Sequence, residues 1–193
     1  MSREDQIRWD RQHGESPGAE QPSRFLRDIF ESGAWEIPPG EALDIACGQG
    51  RNAIFLARLG FHVRGVDISP VALAEARFRA EEAKVNIQWQ QADLEKFPLP
   101  AAQFDLILNF NYLQRSLIGK IKSAIKTGGY VIFETYLIDQ AAIGHPKNPD
   151  YLLVHNELLD FFRDFRVLSY REGKFSDADE ASFRAGLLAQ KTR

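Results

Sequence analysis

The chain has 193 residues, 44% of them hydrophobic and 26% charged, a balance that suits one globular domain with a full core. A net charge of -3 and a sequence pI near 5.8 argue against a broad nucleic-acid footprint, which needs clustered Lys and Arg. No apolar run approaches the roughly 20 residues of a bilayer span, the polar start MSREDQIRWD is no secretory signal, and Cys47, the only cysteine, excludes an internal disulfide or a cysteine metal cluster. The expectation is a soluble cytoplasmic protein without a metal, a membrane or a nucleic-acid partner.

Residues 1–21 read as a polar segment with a loop at Gly14, Ser16, Pro17 and Gly18, in which Trp9 is an isolated large apolar side chain. From Ser23 a short helix is predicted, because Phe25, Leu26, Ile29 and Phe30 share a face, and Gly33 ends it. Two alternations of strand and helix follow. Ala42 to Ala46 is a buried strand, Asn52 to Leu59 a helix stopped by Gly60, and His62 to Val66 a strand ending at Asp67. Ser69-Pro70 then offers an N-cap with proline at the first helical position, and the helix runs to about Lys84. Ile87 to Gln91 and Phe104 to Phe110 are the next strands, Leu113 to Ile125 a helix, and Tyr130 to Leu137 a long strand. Asn156 caps a helix through Phe162, and strands Phe165 to Tyr170 and Ser182 to Gln190 close the chain, joined by an Asp- and Ser-bearing loop. Alternating strands and helices imply a parallel sheet covered on both faces, whereas the last two strands, with only a loop between them, are expected to be antiparallel. Residues 1–193 thus form one domain, and the segments before Ser23 and from Asp139 to Tyr151 are candidate lids.

The stretch ALDIACGQGRNAIFLA, residues 42–57, carries the chemistry. A buried strand enters a turn with Gly48 and Gly50 and passes straight into a helix, whose N-terminus has free N–H groups and a positive dipole end. Asp67, 19 residues after Gly48 and at the end of the second strand, is placed to accept from both hydroxyls of a ribose. Asp93 ends the third strand and could accept from an adenine amino group. The bland alternative is that strand ends carry Asp for turns and caps.

Two ligand classes compete for this loop. Gly48-x-Gly50-x-x-Ala53 matches the dinucleotide fingerprint, which would make the protein an NAD(P)-binding oxidoreductase. Asp44, on the strand just before the loop, opposes that, since a pyrophosphate would lie close to its carboxylate. The ammonium and sulfonium of S-adenosylmethionine instead favour a nearby carboxylate. A catalytically silent S-adenosylmethionine-binding module is the third possibility.

With Asp44-Ile45-Ala46-Cys47-Gly48-Gln49-Gly50 standing where the family motif is acidic-x-Gly-x-Gly-x-Gly, the sequence resembles the class I S-adenosylmethionine-dependent methyltransferases. Ala46 replaces the first glycine. The Cys-Gly-x-Gly-Arg-Asn form, the Trp9-Asp10 pair, and the segments PKNPDYLL and NELL are similar to the small-molecule branch that includes tellurite-resistance methyltransferases. The resemblance implies a Rossmann-like, doubly wound α/β sheet of seven strands in order 3-2-1-4-5-7-6 with strand seven antiparallel. It implies S-adenosylmethionine as cofactor, S-adenosylhomocysteine as product, and an N-terminal segment with Trp9 covering the site, His13 lying where relatives carry a Tyr. Carried over by position, Asp44, Ala46, Gly48 and Asn52 hold the methionyl end, Asp67 and Ile68 the ribose, Asp93 and Leu94 the adenine, Asn109 lies near the transferable methyl, and Gly50 of the same turn counts among the cofactor-binding residues.

For the acceptor, a small molecule, the candidate pocket residues are Tyr112, Arg115, Tyr136, His145, Tyr151 and Arg184, with His155 beside them. Arg115 and Arg184 could meet an anionic acceptor, and the histidines could act as bases near neutral pH. Surface arginines and ring-packed tyrosines are the bland reading of each. Asn109-Phe110-Asn111-Tyr112 departs from the Asn/Asp-Pro-Pro-aromatic pattern of relatives that methylate amino groups on nucleic acids and glutamine.

Overall fold

The computed structural model describes residues 3–15, 18–177 and 180–193. In chain order the elements are α1 (Arg3–Glu15), α2 (Arg24–Glu31), β1 (Glu41–Ile45), α3 (Arg51–Arg58), β2 (His62–Asp67), α4 (Pro70–Glu82), β3 (Ile87–Gln91), β4 (Phe104–Phe110), α5 (Ile118–Ala124), β5 (Ile125–Tyr136), α6 (Glu157–Phe161), β6 (Arg166–Asp177) and β7 (Glu180–Gln190). One seven-stranded sheet has the order β3-β2-β1-β4-β5-β7-β6. The pairs from β3 to β5 are parallel, and β7 runs antiparallel to both neighbours. This is the α/β methyltransferase topology that the resemblance implied.

Strand alternation divides the core between the two faces of the sheet. Leu43, Ile45, Ile107, Val131 and Phe133 point to the side closed by α5 and α6, where Ile121, Leu158 and Phe162 pack. Ala42, Leu106, Leu108 and Ile132 point to the side closed by α2, α3 and α4, against Leu26, Ile29, Leu56 and Ala80. Strands buried on both faces read as nearly unbroken apolar runs, which is why β1 and β4 stood out in the sequence. Register does the rest of the positioning. Ile45 lies beside Val66 on one side and Asn109 on the other, and Asp67 beside Gln91, so the carboxyl ends of β1 to β4 share one edge. Ser69 caps α4 as expected, its hydroxyl accepting from the Ala72 N–H at 3.1 Å.

Several local expectations are corrected. The N-terminal segment, for which no helix was expected, is helical over Arg3–Glu15, so Gly14 lies in the helix and not in the expected loop; Ser16 and Pro17 lie outside the described residues. Its sequence lacks an apolar stripe, so the helix was invisible to periodicity. It is held by tertiary contacts: the Ser69 hydroxyl donates to Asp10 at 2.5 Å, and just beyond the helix Gln49 accepts from the Gly18 N–H at 2.9 Å. The helix expected over Leu113 to Ile125 is a 3-10 turn (Arg115–Leu117) followed by α5, and β5 begins at Ile125, earlier than Tyr130. Asn156 precedes α6 but sits in the left-handed region (φ 67°) without a side-chain cap bond. The loop expected between the last two strands is largely ladder, since pairing continues out to Asp177 and Glu180. No helix among the described residues is long and apolar enough to cross a membrane.

Candidate functional site

A cavity of about 1040 Å³ opens at the carboxyl edge of the sheet. Its floor is the turn from Ala46 to Asn52 with the ends of β2 and β4. Its roof is Arg8, Trp9, Gln12 and His13 on α1 together with the segment from His145 to Tyr151. Both stretches marked as candidate lids therefore meet over the same opening. The Arg8 guanidinium lies 5.6 Å from the Trp9 ring and 5.8 Å from the Tyr151 ring, which bridges the two.

Asp44 dominates the electrostatics of the floor. It is 1% exposed, borders the cavity, and its Oδ2 has no hydrogen-bond partner. Burial, reinforced by the nearby Asp67 charge, pushes its carboxyl up to about 7, with Arg51 and the Ala53 N–H opposing only in part. A buried carboxylate that borders a cavity and keeps an oxygen without a partner suits a cationic ligand. Asp67 is engaged with backbone on both oxygens, Oδ2 accepting from the Gly48 N–H at 2.8 Å and Oδ1 from the Ser69 N–H at 2.9 Å. Each oxygen keeps a lone pair for a ligand hydroxyl.

The glycines do different jobs from one another. Gly48 has φ +52°, and a Cβ there would sit 3.5 Å from the His13 ring, so the loop passes directly beneath the α1 roof. Gly50, at φ +82°, is needed for packing: a Cβ would lie 2.5 Å from the Trp89 ring, which also covers Gly65. Gly50 thus packs against Trp89 and does not border the cavity, a correction to its expected place among the cofactor-binding residues. Ala46, where the family motif has glycine, adopts φ 52°, a conformation costing a non-glycine residue about 1 kcal/mol. Asn52 borders the cavity but spends its carbonyl on the Ser23 N–H at 2.9 Å, tying α3 to the start of α2.

The structure gathers Trp9, Asp44, Ala46, Gly48, Asn52, Asp67, Ile68 and Leu94 around the cavity, which Tyr112, Tyr136, His145 and Tyr151 line as well. It leaves others outside. Asp93 turns its carboxylate to the Glu95 N–H (3.0 Å) and to Lys96 (3.7 Å), while its neighbours Leu94 and Glu95 face the cavity. Asn109 is buried and donates to the Tyr112 carbonyl at 2.6 Å, shaping the turn after β4 so that Phe110, Asn111 and Tyr112 line the wall instead. Arg115 is consumed in bracing, with Glu157 at 2.6 and 2.9 Å and the carbonyls of Asp150 and Leu152 at 3.0 and 2.9 Å. Arg184 lies behind the wall, 4.1 Å from the Tyr136 ring centre, donating to Asn111 at 2.6 Å. His155 pairs with Asp139 at 2.6 Å, which raises the imidazole pKa, and does not border the cavity. Sequence reasoning missed Arg8, Gln12 and Gln49, which carry no periodic signal, and it missed Arg51 and Asn111. Those two stand at signalled places, the first residue of the helix after the glycine turn and the residue just after a strand end. Among the described residues no group of three or more His, Cys, Asp or Glu side chains is placed to hold a metal ion.

The donor set fits S-adenosylmethionine: a buried carboxylate for a cation, a strand-end aspartate for ribose hydroxyls, and apolar Ile68 and Leu94 to flank a base. A protein-family model described as a methyltransferase domain matches residues 42–129, the part that builds this floor. Over those residues the chain is similar to the class I S-adenosylmethionine-dependent methyltransferases. It is also similar to the probable S-adenosyl-L-methionine-dependent methyltransferase TehB of Haemophilus influenzae, 29% identical over 170 residues. That match covers 80% of this chain and 58% of the relative. The crystal structure of TehB from Haemophilus influenzae superposes with a TM-score of 0.76 at 22% identity, covering 95% of this chain and 67% of the other. The ubiquinone biosynthesis O-methyltransferase of Acinetobacter baylyi is 30% identical over 134 residues, 66% of this chain and 56% of the relative. The chain therefore spans somewhat over half the length of these two curated relatives.

Proposed function

We propose that this protein transfers a methyl group from S-adenosylmethionine to a small-molecule acceptor in the cavity beneath α1, residues 1–193 acting as one cytoplasmic methyltransferase domain and the N-terminal segment as its lid. The observation that carries the reading is Asp44, a buried residue that borders the cavity and whose carboxylate keeps one oxygen without a hydrogen-bond partner, which calls for a cationic ligand. Asp67 accepts the ribose hydroxyls while keeping the glycine turn in place, and Ile68 and Leu94 flank the adenine. Ala46, Gly48 and Asn52 define the methionyl end, and Trp9 closes it from above. Bound there, the cofactor supplies an already activated methyl carbon.

The remaining work for the protein is alignment and exclusion of water. Tyr112, Tyr136, His145 and Tyr151 also line the cavity, and they are the side chains that would hold the acceptor. The two-sided roof, bridged by Arg8 and Tyr151, covers the cavity, which favours a small acceptor over a polymer. The absence of a Pro-Pro-aromatic sequence after Asn109 supports the same choice. The test is formation of S-adenosylhomocysteine, followed by mass spectrometry, with a panel of thiols, phenols, and selenium and tellurium oxyanions. Turnover with a member of that panel, and none with DNA, RNA or protein, is the expected result. Turnover only with a macromolecule would overturn the acceptor assignment. Tight cofactor binding with no turnover on any acceptor would make the chain a silent binding module.

A further inference from the structure

One arginine behind the cavity wall is held by more contacts than an ion pair requires. Arg184 of β7 stands directly opposite Tyr136 of β5, so the two side chains leave the same face of the sheet. Its guanidinium carbon lies 4.1 Å from the Tyr136 ring centre. The same group donates through Nε to the Ser182 hydroxyl at 2.9 Å, and through Nη1 to the Asn111 side-chain oxygen at 2.6 Å and to Glu134 at 3.5 Å. Glu134 is 4% exposed and takes Arg171 at 2.5 Å. The Arg171 guanidinium is in turn seated 4.4 Å from the Phe25 ring and 4.6 Å from the Phe175 ring. The Asn111 backbone is tied to the same place, its N–H donating to the Glu134 carbonyl at 2.9 Å. A line of contacts therefore runs from α2 and β6 through Glu134 and Arg184 to Tyr136 and Asn111, both of which line the cavity.

Both wall residues keep donors to spare. The Tyr136 ring is pinned by the stack, whereas its hydroxyl has no hydrogen-bond partner among the described residues. Arg184 can only donate, so it takes the Asn111 oxygen and leaves the side-chain N–H groups of that amide uncommitted. A guanidinium offers a flat face to the ring and a fixed fork of donors to the amide and the Ser182 hydroxyl; a lysine ammonium beside Glu134 would supply the charge without either. We infer that Arg184 is a positioning residue, fixing the Tyr136 hydroxyl and the Asn111 amide as the hydrogen-bonding pair for the methyl acceptor. Neither member of the pair is a charged group, which suits an acceptor that offers oxygen lone pairs. The inference rests on the methyltransferase reading of the cavity.

The test uses the full chain labelled with 3-fluorotyrosine, whose five tyrosines give five fluorine signals, with Tyr136→Phe identifying that of Tyr136. In Arg184→Gln and Arg184→Lys the Tyr136 signal is expected to shift, while that of Tyr130, further back in β5, stays in place. Calorimetry should give both variants the wild-type affinity for S-adenosylhomocysteine, because Arg184 does not border the cavity. For whichever thiol, phenol or oxyanion of the panel accepts the methyl group, KM is expected to rise about 10-fold, as for the loss of a hydrogen bond to the acceptor. A Tyr136 signal that moves in neither variant overturns the inference, and so does an unchanged acceptor KM or an equal loss for S-adenosylhomocysteine. Wild-type behaviour of Arg184→Lys overturns it too, since Arg184 would then be only a counter-charge for Glu134. Should Arg184→Gln not fold, Arg184→Lys, which keeps a cation beside Glu134, carries the test. Failure of the wild-type chain to bind S-adenosylhomocysteine would strike the methyltransferase reading instead, and the fluorine signals would still decide whether Arg184 positions Tyr136.

Discussion

A carboxyl group that is 1% exposed with one unsatisfied oxygen, as at Asp44, is unfavourable to the folded chain, a cost that the proposed cationic ligand would offset. The Asp44 carboxyl titrates near 7 in the folded state, against about 4 when unfolded. Between those values the native chain holds a proton that the unfolded chain has lost. Its contribution to stability therefore falls as pH rises from about 4 to about 7, by up to about 1.4 kcal/mol per pH unit, and is constant above. Urea denaturation from pH 5 to 8 is expected to show this slope in the wild-type chain and its loss in Asp44→Asn, which should also bind S-adenosylhomocysteine more weakly. Equal slopes in the two proteins would refute the assignment. Asp67 works differently, holding Gly48 and Ser69 through its two oxygens. Asp67→Ala is expected to weaken S-adenosylhomocysteine by about 1.5–3 kcal/mol and to lower stability as well, since two backbone donors lose their acceptor. An unchanged dissociation constant in calorimetry would remove the ribose role.

Among elements, those that span the buried sheet were legible and those held by tertiary contacts were not. β3 and β4 have the bounds that their apolar runs and flanking turns suggest, and α4 begins at the cap that Ser69-Pro70 announces. α1 was not legible, because no face of REDQIRWDRQHGE is apolar and its anchors, Ser69 and the Gln49 loop, lie far along the chain. The extension of β6 and β7 was hidden for a related reason: beyond Tyr170 the ladder continues through polar residues that pair by backbone. The glycine turn was found from its sequence, but the division of labour within it depended on Trp89, which no local pattern brings to Gly50. Gly50→Ala must both accept φ +82° and displace that ring. A loss of about 2–4 kcal/mol in chemical denaturation is expected; a change below 1 kcal/mol would mean that Trp89 yields easily.

At the scale of the molecule, the sheet edge supplies one half of the site and the two covering segments supply the other. The cofactor half was the more legible, because Asp44, Gly48 and Asp67 are fixed to strand ends and a turn whose spacing is readable. The acceptor half was less so. Arg115 and Arg184 carry the charges expected of anion binders, yet both are engaged with protein groups, a pairing that only the folded chain reveals. α1 is clasped to the body through Asp10 and Ser69, so Asp10→Ala should free it while leaving the α4 cap intact. Hydrogen exchange is expected to quicken over residues 3–15 with little change in the α4 amides, and S-adenosylhomocysteine should dissociate faster. Unaltered exchange in α1 would mean that the clasp does not hold the roof.

The most direct test of the whole account is calorimetric titration of the purified chain with S-adenosylhomocysteine and, separately, with NAD and NADP. Saturable binding of S-adenosylhomocysteine alone is predicted, because Asp44 welcomes an ammonium and repels a pyrophosphate. Binding of a nicotinamide nucleotide in its place would contradict the account at its centre.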